Sequence, residues 1–287
     1  MKDDGATFEV EPGGGLRELD SAAVSFSVGE RWRAIPIWAW FGTLLGIVIL
    51  TQFAYGAYSA ELGNYSDESA HFMNALLLRD YLTHGLAQHP LAFAENYYLS
   101  YPKIAPLMWP PFFHASLGLF LLPGWPPHQA ALLFVGLITA LAGVRLTRMV
   151  LLFASRLTAA VIAVLFLLTP LIVDLSTAVM VDIALVALGL ESAWWLAKYY
   201  VSGERRHAVL FGVFATCCCL TKGNGVGITL LPALLILTTG RVHLLRGPGL
   251  YVAAAMVALF AAPFVYISYR LCDAMGDFTG TGTADTV

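Results

Sequence analysis

The chain has 287 residues, of which 58% are hydrophobic and only 12% charged, with a formal net charge of -3 and a mean hydropathy of +0.72. A water-soluble domain is nearer half apolar and a quarter charged, so this composition points instead to a chain whose main solvent is lipid. The small negative charge argues against nucleic acid as a partner.

Residues 1–34 are polar, glycine-rich and acidic, with Asp3, Asp4, Glu9 and Glu11 and no basic start or small-residue cleavage site. They read as a disordered cytosolic tail rather than a secretory signal. A membrane span needs about 20 apolar residues. The runs 35–55, 129–149, 157–173, 181–200, 207–221, 224–240 and 249–269 predict seven spans, the shorter ones crossing with tilt or local thinning. One further run, 112–122, is bounded by Pro110-Pro111 and Pro123. It is too short to cross and predicts an interfacial or re-entrant helix.

The expected fold is an all-α, polytopic transmembrane bundle: a seven-span module over 35–270, with amphipathic interfacial helices in a long outer loop at 56–128. Cytoplasmic loops favour Lys and Arg. With the N-terminus inside and 112–122 not crossing, Arg145, Arg148, Arg156, Lys198, Arg205, Arg206, Arg241 and Arg246 all fall inside, while Arg79, Lys103 and Lys222 fall outside. The expected orientation therefore leaves the 56–128 loop non-cytosolic; the expected location is a multi-pass one, in a bacterial inner or plasma membrane by the resemblance given below. Residues 271–287 are small and polar and read as the beginning of a continuation. Cys217, Cys218 and Cys219 point in different directions on one helix, form no CxxC spacing and read as small apolar fillers.

The outer loop opens with Ser66-Asp67-Glu68-Ser69-Ala70-His71. Ser66 is a natural helix N-cap, and Asp67 and Glu68 suit the positive end of the helix that follows. The same acids are candidates for a general base held at the membrane surface. His71 lies one turn beyond Asp67, where it can share a substrate group or a metal ion. A stiff, proline-rich and aromatic stretch follows, Tyr97 to Pro111, carrying Lys103, either a headgroup anchor or a phosphate contact. Asp182 opens the fourth span. An acid at a helix start is structurally favourable, yet at the edge of a span it is costly enough to point to function as well. Lys222 sits in the tight turn Thr221-Lys222-Gly223-Asn224-Gly225, where a phosphate could meet its ammonium and free backbone N–H groups, or where the side chain could snorkel to headgroups. Glu191, about 13 Å along the fourth span from Asp182, reads as a structural hydrogen-bonding group.

These residues together resemble the membrane glycosyltransferases that use polyprenyl-phosphate sugars: the protein O-mannosyltransferases and the bacterial aminoarabinose and lipid A core sugar transferases. The resemblance is carried, in order, by Asp67-Glu68 with His71, Pro102-Lys103 with Trp109-Pro110-Pro111, Val179-Met180-Val181-Asp182, and Leu220-Thr221-Lys222-Gly223, over about residues 35–269. It implies an inverting transfer from a polyprenyl-phosphate sugar donor to a lipid, glycan or protein acceptor, in contact with membrane lipid. By resemblance, Asp67 and Glu68 are the catalytic acids, with Asp67 the base. Lys103, Lys222 and His71 bind substrate. Asp182 is a second acid near the acceptor or, with Asp67, near a divalent metal ion, the one cofactor the resemblance suggests. Family members usually continue with further spans. Two other classes share parts of this pattern. A transporter places its charges near the bilayer midplane in repeated halves, whereas a non-catalytic lipid-phosphate-binding subunit would share the fold and tolerate loss of Asp67.

Overall fold

The computed structural model describes residues 36–62, 65–105, 108–268 and 270; the expected N-terminal tail and the C-terminal 271–287 lie outside these. All regular structure among the described residues is helical. Helix α1 (Ile37–Ala54) is followed by three short helices, α2 (Glu68–Asp80), α3 (Pro90–Ser100) and α4 (Phe112–Phe120). The bundle then continues through α5 (Pro127–Val150), α6 (Arg156–Leu167), α7 (Pro170–Ser176), α8 (Asp182–Ser202) and α9 (Arg205–Cys219). A 3-10 helix, Gly223–Leu230, runs into α10 (Leu231–Thr239), and α11 (Gly249–Phe260) follows a short 3-10 turn.

Three helical stretches are long and apolar enough to cross a membrane: Ile37–Ala54, Pro127–Val150 and Gly249–Ser268, with 17%, 67% and 11% of their windows buried inside the protein. The first and last leave Trp38, Leu50, Phe53 and Leu259 uncovered, as a face toward hydrocarbon requires. Helices α6 and α7 make a fourth crossing if they count as one span bent by 62°. The bend falls where Pro170 opens α7; proline has no N–H for the helical ladder and clashes with the preceding turn.

The seven apolar runs of the sequence are all helical here, but by length and composition they yield three spans, or four with the bent pair. The reasons differ. Run 157–173 breaks at Pro170. Run 207–221 forms only the 15 residues of α9. Run 224–240 begins as a 3-10 helix, and α8 is long enough but is diluted by Glu191, Lys198 and two aromatic pairs. Helix α4, with nine residues, is about 13 Å long and is too short to cross, as its proline borders imply.

Packing places α2 and α4 against the heads of the bundle helices. The main core joins Phe72 and Ala75 of α2, Phe113 and Leu117 of α4, Ala131 and Val135 of α5, and Val179 to Ile183 at the entry of α8. Gly118 permits the approach of α4 to α2, because a Cβ there would come within 2.8 Å of the Ala75 carbonyl oxygen. Farther along, α1 packs on α5 and α6 through Leu44, Val48, Ala140 and Ala163. The buried Gln52 amide donates to the carbonyls of Leu132 and Ser176, at 2.9 and 2.8 Å, and accepts from the Tyr58 hydroxyl at 2.7 Å. A polar side chain inside an apolar bundle is stabilising only when satisfied in this way.

The turn from α9 to the 3-10 helix predicts a contrast between two glycines. A Cβ on Gly225 would overlap the Cys218 carbonyl, whereas a Cβ on Gly223 meets nothing within 4 Å. Gly225→Ala is expected to destabilise the protein by about 2 kcal/mol or more, because the obstacle is backbone rather than a flexible side chain. Gly223→Ala should be within about 0.5 kcal/mol of the parent. Unfolding of the purified variants in detergent measures both, and equal stabilities would refute the packing described.

Candidate functional site

Helix α2 begins with Asp67 at its N-cap position, but no side chain caps it; Ser66, expected in that role, donates instead to Asp67 Oδ1 at 3.1 Å. The backbone around Asp67 still places its half-buried carboxylate at the head of the helix, with His71 one turn on. Glu68 is buried, at 3% exposure, and its Oε1 accepts the Val179 backbone N–H at 2.9 Å. That bond fixes the head of α2 to the turn leading into α8. Glu68 is thus engaged in holding the head of α2 in place.

Asp182 lies in the first turn of α8, and Lys222 precedes the 3-10 helix. The two meet, with Lys222 Nζ 2.6 Å from Asp182 Oδ1 and both side chains about one-third exposed, at 36% and 27%. The Phe112 backbone N–H donates to the Leu220 carbonyl at 2.8 Å, joining the head of α4 to the same turn. The proline-rich stretch is tied down by a reciprocal pair: the Ala105 N–H donates to Asn74 Oδ1 at 3.0 Å and Asn74 Nδ2 donates to the Ala105 carbonyl at 3.4 Å. Trp109 then reaches His71, ring to ring, at 4.8 Å. Four segments therefore converge: the heads of α2, α4 and α8, and the turn at 221–225.

Asp67, His71, Asp182 and Lys222 share one electrostatic neighbourhood. His71 is pushed down to about 4, first by burial and also by Lys222, against the opposing pull of Asp67 and Asp182. The Tyr65 phenol is raised by desolvation and then by Asp174, Asp182 and Glu68, which places it beside three acids. Lys103 is the expected site residue that this geometry leaves apart. It is exposed on the turn before Ile104 and makes no hydrogen bond or ion pair with the others among the described residues. Asp67 and Asp182 do not form part of any group of three His, Cys, Asp or Glu side chains able to hold a metal ion among the described residues.

One residue of this site went unread in the sequence. His114, on α4, lies with its Nε2 3.0 Å from His71 Nδ1. Burial pushes His114 down to about 3, with the neighbouring His71 adding to the effect and the Pro110 carbonyl opposing it. Both rings are therefore neutral at pH 7, and a single proton lies between them. The Pro110 carbonyl favours a proton on His114, which leaves Nε2 as acceptor and His71 Nδ1–H as donor. This arrangement turns the lone pair of His71 Nε2 away from His114. The only signal in the sequence was a polar ring inside the otherwise apolar α4.

The two histidines predict a pH dependence. Their folded values lie below the ordinary 6.5, so the unfolded chain binds more protons between about pH 4 and 6.5. Stability is then fully present above about pH 7 and is lost as pH falls through 6.5 toward 4, at up to about 2.7 kcal/mol per pH unit for two such groups. His114→Phe should roughly halve that slope. Thermal unfolding at pH 7.5, 6.0 and 5.0 measures it, and a variant with the parent's slope would contradict the buried, neutral pair. No protein family, curated protein or solved structure matches the chain, so what this site does has to be argued from its own residues.

Proposed function

We propose that the chain is a membrane glycosyltransferase that moves a sugar from a polyprenyl-phosphate donor to a hydroxyl of a lipid, glycan or protein acceptor, with inversion, on the non-cytosolic face of a bacterial inner or plasma membrane. The observation that carries this reading is the convergence of Asp67, His71, Asp182 and Lys222 at one end of an apolar bundle, from three segments far apart in sequence. Acids beside a cation at a lipid surface suit a substrate that is both a hydroxyl donor and a lipid-linked phosphate. The other end of the bundle supports the sidedness. The charges of Arg145, Arg148 and Arg206 bear on Lys198, giving the cation-rich face expected in the cytosol.

In this reading Asp67 takes the proton of the acceptor hydroxyl as its oxygen bonds to the anomeric carbon. The bond from that carbon to the phosphate oxygen breaks in the same displacement, and the phosphate leaves on its lipid without needing a proton. Lys222 stabilises the developing charge, exchanging part of its contact with Asp182 for the phosphate. His71, held neutral, offers its Nε2 as an acceptor to a sugar or acceptor hydroxyl. Lys103 stands on an exposed turn, from which a long side chain can reach a donor phosphate at the rim. A divalent ion, if bound, would be held by Asp67 and Asp182, sharing Asp182 with Lys222, and would supply further positive charge beside the donor phosphate. Seven crossings are reached if α6–α7, α8, α9 and Gly223–Thr239 each cross; the 3-10 start stretches the last to about 30 Å, and α9, about 23 Å long, needs local thinning.

Two measurements test this reading. Purified protein with a labelled polyprenyl-phosphate sugar and a panel of acceptors should show transfer, reduced about 10²–10⁴-fold in Asp67→Asn. Normal expression with unchanged turnover in that variant would remove Asp67 as base, while donor binding without any transfer would favour a non-catalytic lipid-phosphate-binding subunit. For sidedness, Ser100→Cys in a background without the native cysteines should react with a membrane-impermeant thiol reagent from the non-cytosolic side. Labelling only from the cytosol would reverse the topology.

A further inference from the structure

A cavity of about 560 Å³ lies among α4, α5, α8 and α9, with Phe112 and Phe113 at one end and Arg145, Glu191 and Trp195 at the other. Leu188 and other apolar side chains make most of its wall. Two features set this cavity apart. First, Arg145 is only 8% exposed, and it forms a two-pronged ion pair with Glu191, its Nε and Nη2 each 2.6 Å from a carboxylate oxygen. Second, only two buried side-chain atoms among the described residues lack a hydrogen-bond partner, Arg145 Nη1 and Trp195 Nε1. Both belong to residues of this wall, and both are donors.

A buried donor without an acceptor is costly, and native structures hold few of them. Two on one cavity define what is missing: acceptor oxygens. Charge sharpens the chemistry. The Arg145 guanidinium and the Lys198 ammonium both lie over the Trp194 ring, at 4.9 and 5.2 Å, and Lys198 also lies 5.0 Å from the Trp195 ring. Arg148 is within electrostatic range of Arg145 and Glu191. Glu191 compensates one of these three cations, so the end is positive. The rest of the wall is hydrocarbon. The volume corresponds to about 20 methylene-sized groups, taking each as about the share of a liquid water molecule. That is one chain with a head rather than a two-chain lipid.

We propose that this cavity binds a single-chain amphiphile with an anionic oxygen head, such as a lipid monophosphate, the head meeting Arg145 and Trp195 with Lys198 adding its charge from beside the Trp195 ring, and the chain running toward Phe112 and Phe113. The head position is separate from the candidate site: Glu191 lies about 13 Å along α8 from Asp182. The inference therefore stands apart from the proposed transfer. A second cavity of about 320 Å³ shares Leu141, Arg145 and Glu191 and adds Trp38 and Arg148. The ion pair thus sits in the wall between the two, where a ligand head would be held from both sides.

The test uses the full chain purified in an uncharged maltoside detergent. Hexadecyl phosphate should raise the unfolding temperature saturably and change the tryptophan fluorescence. Hexadecanol, with a neutral head, should bind at least about tenfold more weakly, and inorganic phosphate should do neither. Trp195→Phe keeps the ring and removes one donor, and should weaken hexadecyl phosphate about tenfold, the size of one lost hydrogen bond. Leu188→Trp fills the cavity and should abolish binding. Lys222→Ala removes the proposed donor-phosphate contact and should leave this binding intact. Equal binding of hexadecyl phosphate and hexadecanol, or parent-like affinity in Trp195→Phe, overturns the proposal even if Leu188→Trp does not fold. Loss of binding in Lys222→Ala with retention in Trp195→Phe places the phosphate in the other site and overturns it as well.

Discussion

The bond from the Glu68 carboxylate to the Val179 backbone N–H is the constraint on which the site depends. It spans 111 residues of sequence, joins the first outer helix to the entry of α8, and is buried. A carboxylate removed from water is tolerated only when its oxygens find donors. Glu68 finds one in a backbone amide that the turn at 177–181 leaves free. Because α2 is fixed there, its next turn carries His71 against His114, where Asp67 and Asp182 both act on it. The Asp182–Lys222 pair and the Phe112–Leu220 backbone bond close the same junction from the other side. Apolar packing of Phe113, Leu117 and Val179 supplies the bulk of the contact, but it is non-directional. The polar ties decide which side chains face one another.

The two ends of the bundle are organised by different physics. At the end that carries the candidate site, Asp67, Asp182 and Lys222 are partly exposed, so their fields reach into the surroundings. At the opposite end, cations gather around Trp194 and the half-buried carboxylate of Glu191. A guanidinium in a low-dielectric setting needs both its charge and its N–H groups matched, and Glu191 matches only two of the nitrogens. Helices α5 and α8 connect these ends, each starting in the outer core cluster and finishing among the cations. Helix α8 therefore carries both Asp182 of the candidate site and part of the wall of the apolar cavity.

Much of this architecture was legible in the residues. The low charge and long apolar runs fixed a helical chain with membrane-crossing segments, and the proline borders of 112–122 fixed a short helix that does not cross. That Asp182 and Lys222 come near one another could be anticipated because each lies at the end of an apolar run. The number of spans could not be read in the same way. Hydropathy counts apolar residues, while a span also needs continuous helix, and Pro170 and the 3-10 start at Gly223 interrupt it.

What the sequence determined by itself was the solvent: a composition this apolar has to bury its backbone polar groups in helices, and charges this few have to sit at helix ends or pair. Which charges pair was decided only by tertiary structure. Nothing in the spacing of Glu68 says that it will meet Val179 rather than a substrate, because a carboxylate at a helix start has the same local chemistry in either role. Nothing near His114 announces His71, 43 residues away. Lys103 and Lys222 look alike as isolated cations, yet one is left on an exposed turn and the other is drawn to Asp182. Those outcomes depend on the packing of α2, α4, α8 and the turn at 221–225 against one another, a long-range arrangement to which local periodicity is blind.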